Sequence, residues 1–106
     1  MKDEVIIIFV TAANQQEAEQ IAQYLVEKKL IACGNIVSPI FSIFHWEGKF
    51  CKENEVLLML KTRRTYFDIV QQQVKKLHSY DTPEIIALPV IDGSDDYLNW
   101  VRSETK

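Results

Sequence analysis

Glycine, proline, cysteine and histidine are all scarce in this chain, which has three, three, two and two of them among 106 residues. No glycine-rich loop is present to cradle a phosphate, and no GxSxG, HExxH, P-loop or dinucleotide-binding fingerprint occurs. Cys33 and Cys51 form no CxxC or zinc-type spacing. The two histidines, His45 and His78, fall short of the three or four ligands that a metal site normally uses. No apolar run approaches the roughly 18 residues that a membrane span needs. A basic excess is also missing: 12 Lys and Arg stand against 15 Asp and Glu, for a net charge of −3. Nucleic acids and anionic membranes are drawn by a basic field, so neither is an expected partner. No enzyme active site is legible, and the expectation is a protein that is not an enzyme. The N-terminal residues lead straight into a strand-like segment with no small-residue cleavage site. Reduced thiols and a cytoplasmic location are therefore expected.

What the chain does hold is enough apolar material, 47%, for one core, and residues 1–106 read as a single domain. Val5 to Val10 is a β-branched apolar run too short for most helices, hence a strand. Asn14 with Glu17 makes a capping box, followed by Ala18, Ile21, Ala22, Leu25 and Val26 at helical spacing. Leu30 to Val37 is strand-like again, Pro39 bends or bulges it, and Ile40 to Trp46 continues it. Glu47-Gly48-Lys49 is a turn, and Val56 to Leu60 returns to complete a long hairpin. A second helix is expected on the stripe Ile69, Val70, Val74 and Leu77, capped by Thr65 with Asp68. Ile85 to Leu88 reads as a last strand, and Asp92-Gly93-Ser94 turns into a short C-terminal helix.

The order β-α-β-β-α-β with an added helix is the α+β, ferredoxin-like, split β-α-β arrangement, with both main helices on one face of an antiparallel sheet. Its central strands are 5–10 and 56–60, neither of which alternates apolar with polar residues. A half-exposed antiparallel strand would alternate, so the face away from the helices is also expected to be covered. The C-terminal helix is small for that task, and symmetric self-association is the commonest alternative cover.

Few side chains suggest chemistry. His78 with Glu84 is a candidate pair for Cu(II) or Zn(II), although a histidine at a helix end is also favoured by the helix dipole alone. Cys33 lies in an apolar strand and reads as a small buried hydrophobe, whereas Cys51 is expected to be exposed near the hairpin turn. Lys61-Thr62-Arg63-Arg64 precedes the second helix, where a helix N-terminus favours an anion; a solvated charged turn is the plainer account. Trp46, Trp100, Tyr80 and Tyr97 are candidates for a pocket at a subunit boundary or for interface packing.

Taken together, several separated motifs resemble the CutA family of divalent-cation tolerance proteins. They are Ala32-Cys33-Gly34-Asn35-Ile36, Ser42, Trp46-Glu47-Gly48-Lys49, Glu55, Lys61-Thr62, His78, Tyr80, Thr82-Pro83-Glu84, Pro89 and Tyr97-Leu98-Asn99-Trp100. The resemblance runs from Val5 to about Trp100. It implies a single CutA-like domain in a compact homotrimer, similar to PII signalling proteins, with no obligatory cofactor. It also implies a role in tolerance of copper and other divalent metals. His78 and Glu84 are the candidate metal-binding residues, and Cys33, Trp46, Lys61 and Tyr80 are candidates for the lining of a cleft between subunits. The alternative reading is a PII-like sensor or scaffold that takes a small anion or a protein partner in that cleft. Some bacterial members carry a cysteine where Val10 stands and a histidine where Leu77 stands, and neither residue here ligates metal.

Overall fold

The computed structural model describes residues 3–106; Met1 and Lys2, part of the N-terminal segment considered above, lie outside the described residues. β1 (Val5–Ala12), α1 (Gln15–Glu27), β2 (Cys33–Trp46), β3 (Lys49–Arg63), α2 (Phe67–Leu77), β4 (Ile85–Pro89) and α3 (Asp95–Glu104) follow in order. The strands form one antiparallel sheet in the order β2-β3-β1-β4. β1 and β3 are thus the central pair, as their unbroken apolar runs require.

On one face, Ile6, Ile8, Val10 and Ala12 of β1 sit beside Val56, Leu58 and Leu60 of β3. Ala18, Ile21, Ala22 and Leu25 of α1 and Val70 and Val74 of α2 pack over them, forming the core. The helical stripe and the strand alternation bring these apolar surfaces together and remove them from water. Asn14 Oδ1 accepts the Glu17 N–H at 2.8 Å, and Glu17 Oε1 accepts the Ala13 N–H at 3.2 Å, so the start of α1 is capped from both sides. Thr62, fully buried, donates its hydroxyl to the Leu30 carbonyl at 2.7 Å.

Three local expectations need correction. β2 begins at Cys33 rather than Leu30, because Leu30 and Ile31 turn into the core as a buried connection. β3 is far longer than 56–60: its polar first half, Lys49–Glu55, pairs with 40–46 and is held by that ladder rather than by apolar content. α2 is preceded by a 3-10 turn, Arg64–Tyr66, and has no side-chain cap, so Thr65 and Asp68 do not act as a capping pair. The register shift between Val37 and Ile40 falls at the Ser38–Pro39 step, where a bulge was expected. Glu47 and Gly48 both have positive φ, 51° and 77°, and close the hairpin tightly between the paired Trp46 and Lys49.

The opposite face of the sheet is only partly covered. α3 reaches one end of it, where Val101 packs with Val5 and Ala32. Beyond that contact Ile7, Phe9, Leu57 and Met59 are half-buried, and Ile86 and Leu88 of β4, paired with Phe9 and Ile7, are 52% and 42% exposed. Past the bulge the β2–β3 ribbon runs on with no third strand beside it among the described residues, and the long axis is 44 Å. Phe41, Ile43 and Phe50 on one side of this ribbon and Phe44 and Trp46 on the other are all exposed. A two-stranded ribbon of this kind is marginal in water by itself.

Candidate functional site

Where the ribbon leaves the sheet, its open-face side chains meet the loop that follows α2. The alternation of a strand places Cys51, Glu53 and Glu55 on one face of β3, and the hairpin register sets Phe44 opposite Cys51 and Trp46 opposite Lys49. Phe44, Trp46, Cys51, Glu53 and Glu55, together with Thr11, Tyr80, Asp81, Thr82 and Glu84, line an open cavity of about 560 Å³. A second, larger hollow of about 710 Å³ lies between the β4 edge and the start of α2; of the side chains considered for chemistry above only Arg64, from the basic run before α2, lines it.

The loop of residues 78–84 is fixed by three anchors. His78 ends α2, and its Nε2 lies 2.7 Å from the Thr11 carbonyl oxygen, which can only accept, so Nε2 carries the proton. Nδ1 then accepts the Tyr80 N–H at 3.0 Å. Glu17, from the first turn of α1, accepts both the Ser79 N–H at 2.8 Å and the Ser79 hydroxyl at 3.2 Å. Tyr80 donates its phenolic proton to Glu55 Oε2 at 2.9 Å.

The electrostatics follow from these contacts. Burial, the bond to Glu55 and the negative charges of Glu55, Glu17 and Glu53 push the Tyr80 hydroxyl up to about 12. Burial alone would raise the Glu17 carboxyl; the Ser79 and Ala13 hydrogen bonds and the nearby His78 outweigh it and hold Glu17 below its ordinary value.

The candidate residues separate into two groups. Trp46, Tyr80 and Glu84 share the cavity wall, and His78 lies behind it, holding the Tyr80 backbone. Both His78 ring nitrogens are engaged, so ligation through Nδ1 requires release of the Tyr80 N–H. Among the described residues no group of three or more His, Cys, Asp or Glu side chains is placed to hold a metal ion. Cys33 and Lys61 stand at the other end of the same sheet face, paired with each other across β2 and β3, and both contact Asn35. Cys33 is half-buried there rather than in the core. The Lys61 ammonium also lies 5.8 Å from the Tyr97 ring, which in turn packs on Trp100. Arg63 is bound to Asp3, Tyr66, Thr105 and Lys106, and Arg64 to Glu4, which leaves the basic run before α2 engaged within the fold. Cys51, Glu53 and Glu55 were not expected at a site. Their signal was available in the sequence, as a period-two series lying across a hairpin from Phe44 and Trp46.

A family model described as CutA1 divalent ion tolerance protein matches residues 6–104. The chain belongs to the CutA1 family. It is 40% identical over 99 residues to the divalent-cation tolerance protein CutA of Thermus thermophilus, covering 93% of this chain and 96% of that one. It is 42% identical over 101 residues to the chloroplastic CutA protein of Arabidopsis thaliana, covering 95% of this chain but only 56% of the plant protein. The chain thus spans about half the length of its plant and animal relatives and nearly all of the Thermus one. The solved structure of the periplasmic divalent cation tolerance protein CutA from Archaeoglobus fulgidus matches with a TM-score of 0.93 at 43% identity, covering 96% of this chain and 99% of that one. CutA1 from Oryza sativa matches with a TM-score of 0.94 at 40% identity, covering 97% and 94%.

Proposed function

We propose that this protein is a non-enzymatic, cytoplasmic subunit of a homotrimer that contributes to tolerance of divalent metals, and that it holds Cu(II) at boundaries between subunits. The observation that carries this reading is the uncovered apolar half of the sheet, Ile7, Phe9, Met59, Ile86 and Leu88, with an acidic cavity at its rim. Burial of such a surface against a second copy is favourable at about 25 cal/mol per Å² of apolar area, before the costs of association. The choice of three copies comes from the family resemblance.

Among the described residues of one chain the donors are too few, so the metal set is completed across the boundary. Glu84 supplies an exposed carboxylate, and His78 supplies Nδ1 once the Tyr80 N–H is released. The PII-like reading with a small anion is weaker, because Glu53, Glu55, Asp81 and Glu84 line the cavity and repel an anion. Neither cysteine is in a disulfide, in keeping with a reducing compartment.

A calorimetric Cu(II) titration of the reduced, assembled protein tests this, with His78→Ala, Glu84→Gln and a dissociated variant alongside. Stoichiometric binding that weakens in both site variants and disappears on dissociation is expected. Binding that survives dissociation unchanged would contradict a boundary site.

A further inference from the structure

The deepest carboxylate of the cavity has no cation to answer it. Glu55 is only 8% exposed, and no ion pair among the described residues includes it. Its Oε2 accepts from Tyr80, whereas its Oε1 has no donor among the described residues and is not sealed from solvent, so it faces the cavity that Glu55 lines. The fold thus keeps one oxygen of a largely buried carboxylate accessible at the wall of a space sized for a small molecule.

The rest of the lining indicates what kind of cation fits. A metal ion requires donors converging on one point within about 2–2.6 Å, and no group of three or more His, Cys, Asp or Glu side chains does so among the described residues. Glu53, Asp81 and Glu84 line the same cavity without forming a three-donor group among the described residues. Separated carboxylates suit a ligand whose positive charges are themselves separated along a chain. Phe44, Trp46 and Tyr80 add three aromatic rings to the same wall, and aromatic faces attract an ammonium group and pack against methylene carbons.

We propose that this cavity binds a small organic polyamine, one ammonium group paired with Glu55 and the alkyl chain lying against Trp46 and Phe44. The anchored loop that carries Tyr80 is ready for this, because His78 and Glu17 fix the segment whose hydroxyl orients the Glu55 carboxylate. The site sits past the bulge, at the rim of the apolar face. The inference goes beyond the copper reading and holds whether or not copper binds.

The test is a spermidine titration of metal-free, assembled protein carrying Trp100→Phe, so that fluorescence reports Trp46 alone. Sodium and magnesium chloride at matched ionic strength serve as controls. A saturable change specific to spermidine is expected, weakened about tenfold or more in Glu55→Gln, which keeps the side-chain size and an oxygen to accept from Tyr80. Trp46→Leu, at an exposed position, weakens the same binding when read by calorimetry, and it serves as the independent variant if Glu55→Gln does not assemble. No saturable response would overturn the proposal, as would a response reproduced by magnesium or binding indifferent to both substitutions. Filling of the cavity by a lysine of a second copy would give the first of these results.

Discussion

The Tyr80 hydroxyl donates to Glu55 Oε2 at 2.9 Å across 25 positions of sequence, tying the loop after α2 to the point where the β3 ribbon leaves the sheet. That bond joins the cavity wall to the fold, and its behaviour with pH is distinctive. Tyr80 is neutral in the native state up to about 12, against an ordinary tyrosine value of 10.0. A group whose pKa is raised on folding stabilises fully below its unfolded value and loses that contribution as pH rises through the folded one. Stability is therefore expected to fall between about pH 10 and 12 more steeply in the wild type than in Tyr80→Phe. Ultraviolet tyrosinate titration should show one of the four tyrosines ionising near 12. If Tyr80 ionises near 10 instead, the bond does not hold in solution.

At neutral pH, Tyr80→Phe leaves the buried Glu55 carboxylate with no hydrogen-bond donor from the protein. A loss of about 1–3 kcal/mol in unfolding free energy is expected from denaturant titration.

Glu17 gives the opposite pH signature. Its carboxyl is held below the ordinary value of 4.5, so its contribution is present above that pH and is lost as pH falls through the lower folded value. Glu17→Gln is expected to cost about 1–2 kcal/mol at pH 7, because it weakens both the α1 cap and the Ser79 anchor. Below about pH 4.5 the difference from wild type should shrink. A gap that stays constant down to acid pH would show that the charge of Glu17 is not what matters.

Gly34 faces α1 at close range. A Cβ built there would lie 3.1 Å from the Ala22 Cβ, which has no rotamer by which to move away. Gly34→Ala requires α1 to shift by a few tenths of an ångström, and a destabilisation of about 1–3 kcal/mol is expected by thermal or chemical unfolding. An unchanged midpoint would mean that helix and strand are less tightly apposed.

Much of the fold was legible because its signals are local. The β-branched run at Val5–Val10 and the Asn14–Glu17 cap depend on residues a few positions apart, and both elements form where expected. Lys49–Glu55 carries no strand signal of its own, because it is ordered by pairing with 40–46. The 3-10 turn before α2 arises where Arg63 is pulled toward the C-terminal residues, a contact 42 positions apart in sequence. The site divides in the same way. Trp46 and Tyr80 were legible as aromatics at element ends, but the cavity uniting them with Glu55 depends on the angle at which the ribbon leaves the bulge. The engagement of His78 on both ring nitrogens likewise depends on Thr11 in a strand 67 residues away.

Ile86→Glu combined with Leu88→Glu places two carboxylates on the uncovered face of an edge strand, where the subunit core is untouched. Such charges in an apolar interface are strongly unfavourable, and the pair is expected to yield a folded, dissociated subunit. Circular dichroism should remain close to wild type while the molecular mass falls.

The most direct test of the central claim, that copies of this chain cover one another's open sheet face, is sedimentation equilibrium of the wild-type protein at micromolar concentration. A mass three times the 12.3 kDa of one chain is predicted. A single species of 12.3 kDa would contradict the account, because Phe9, Met59, Ile86 and Leu88 would then face water with no partner.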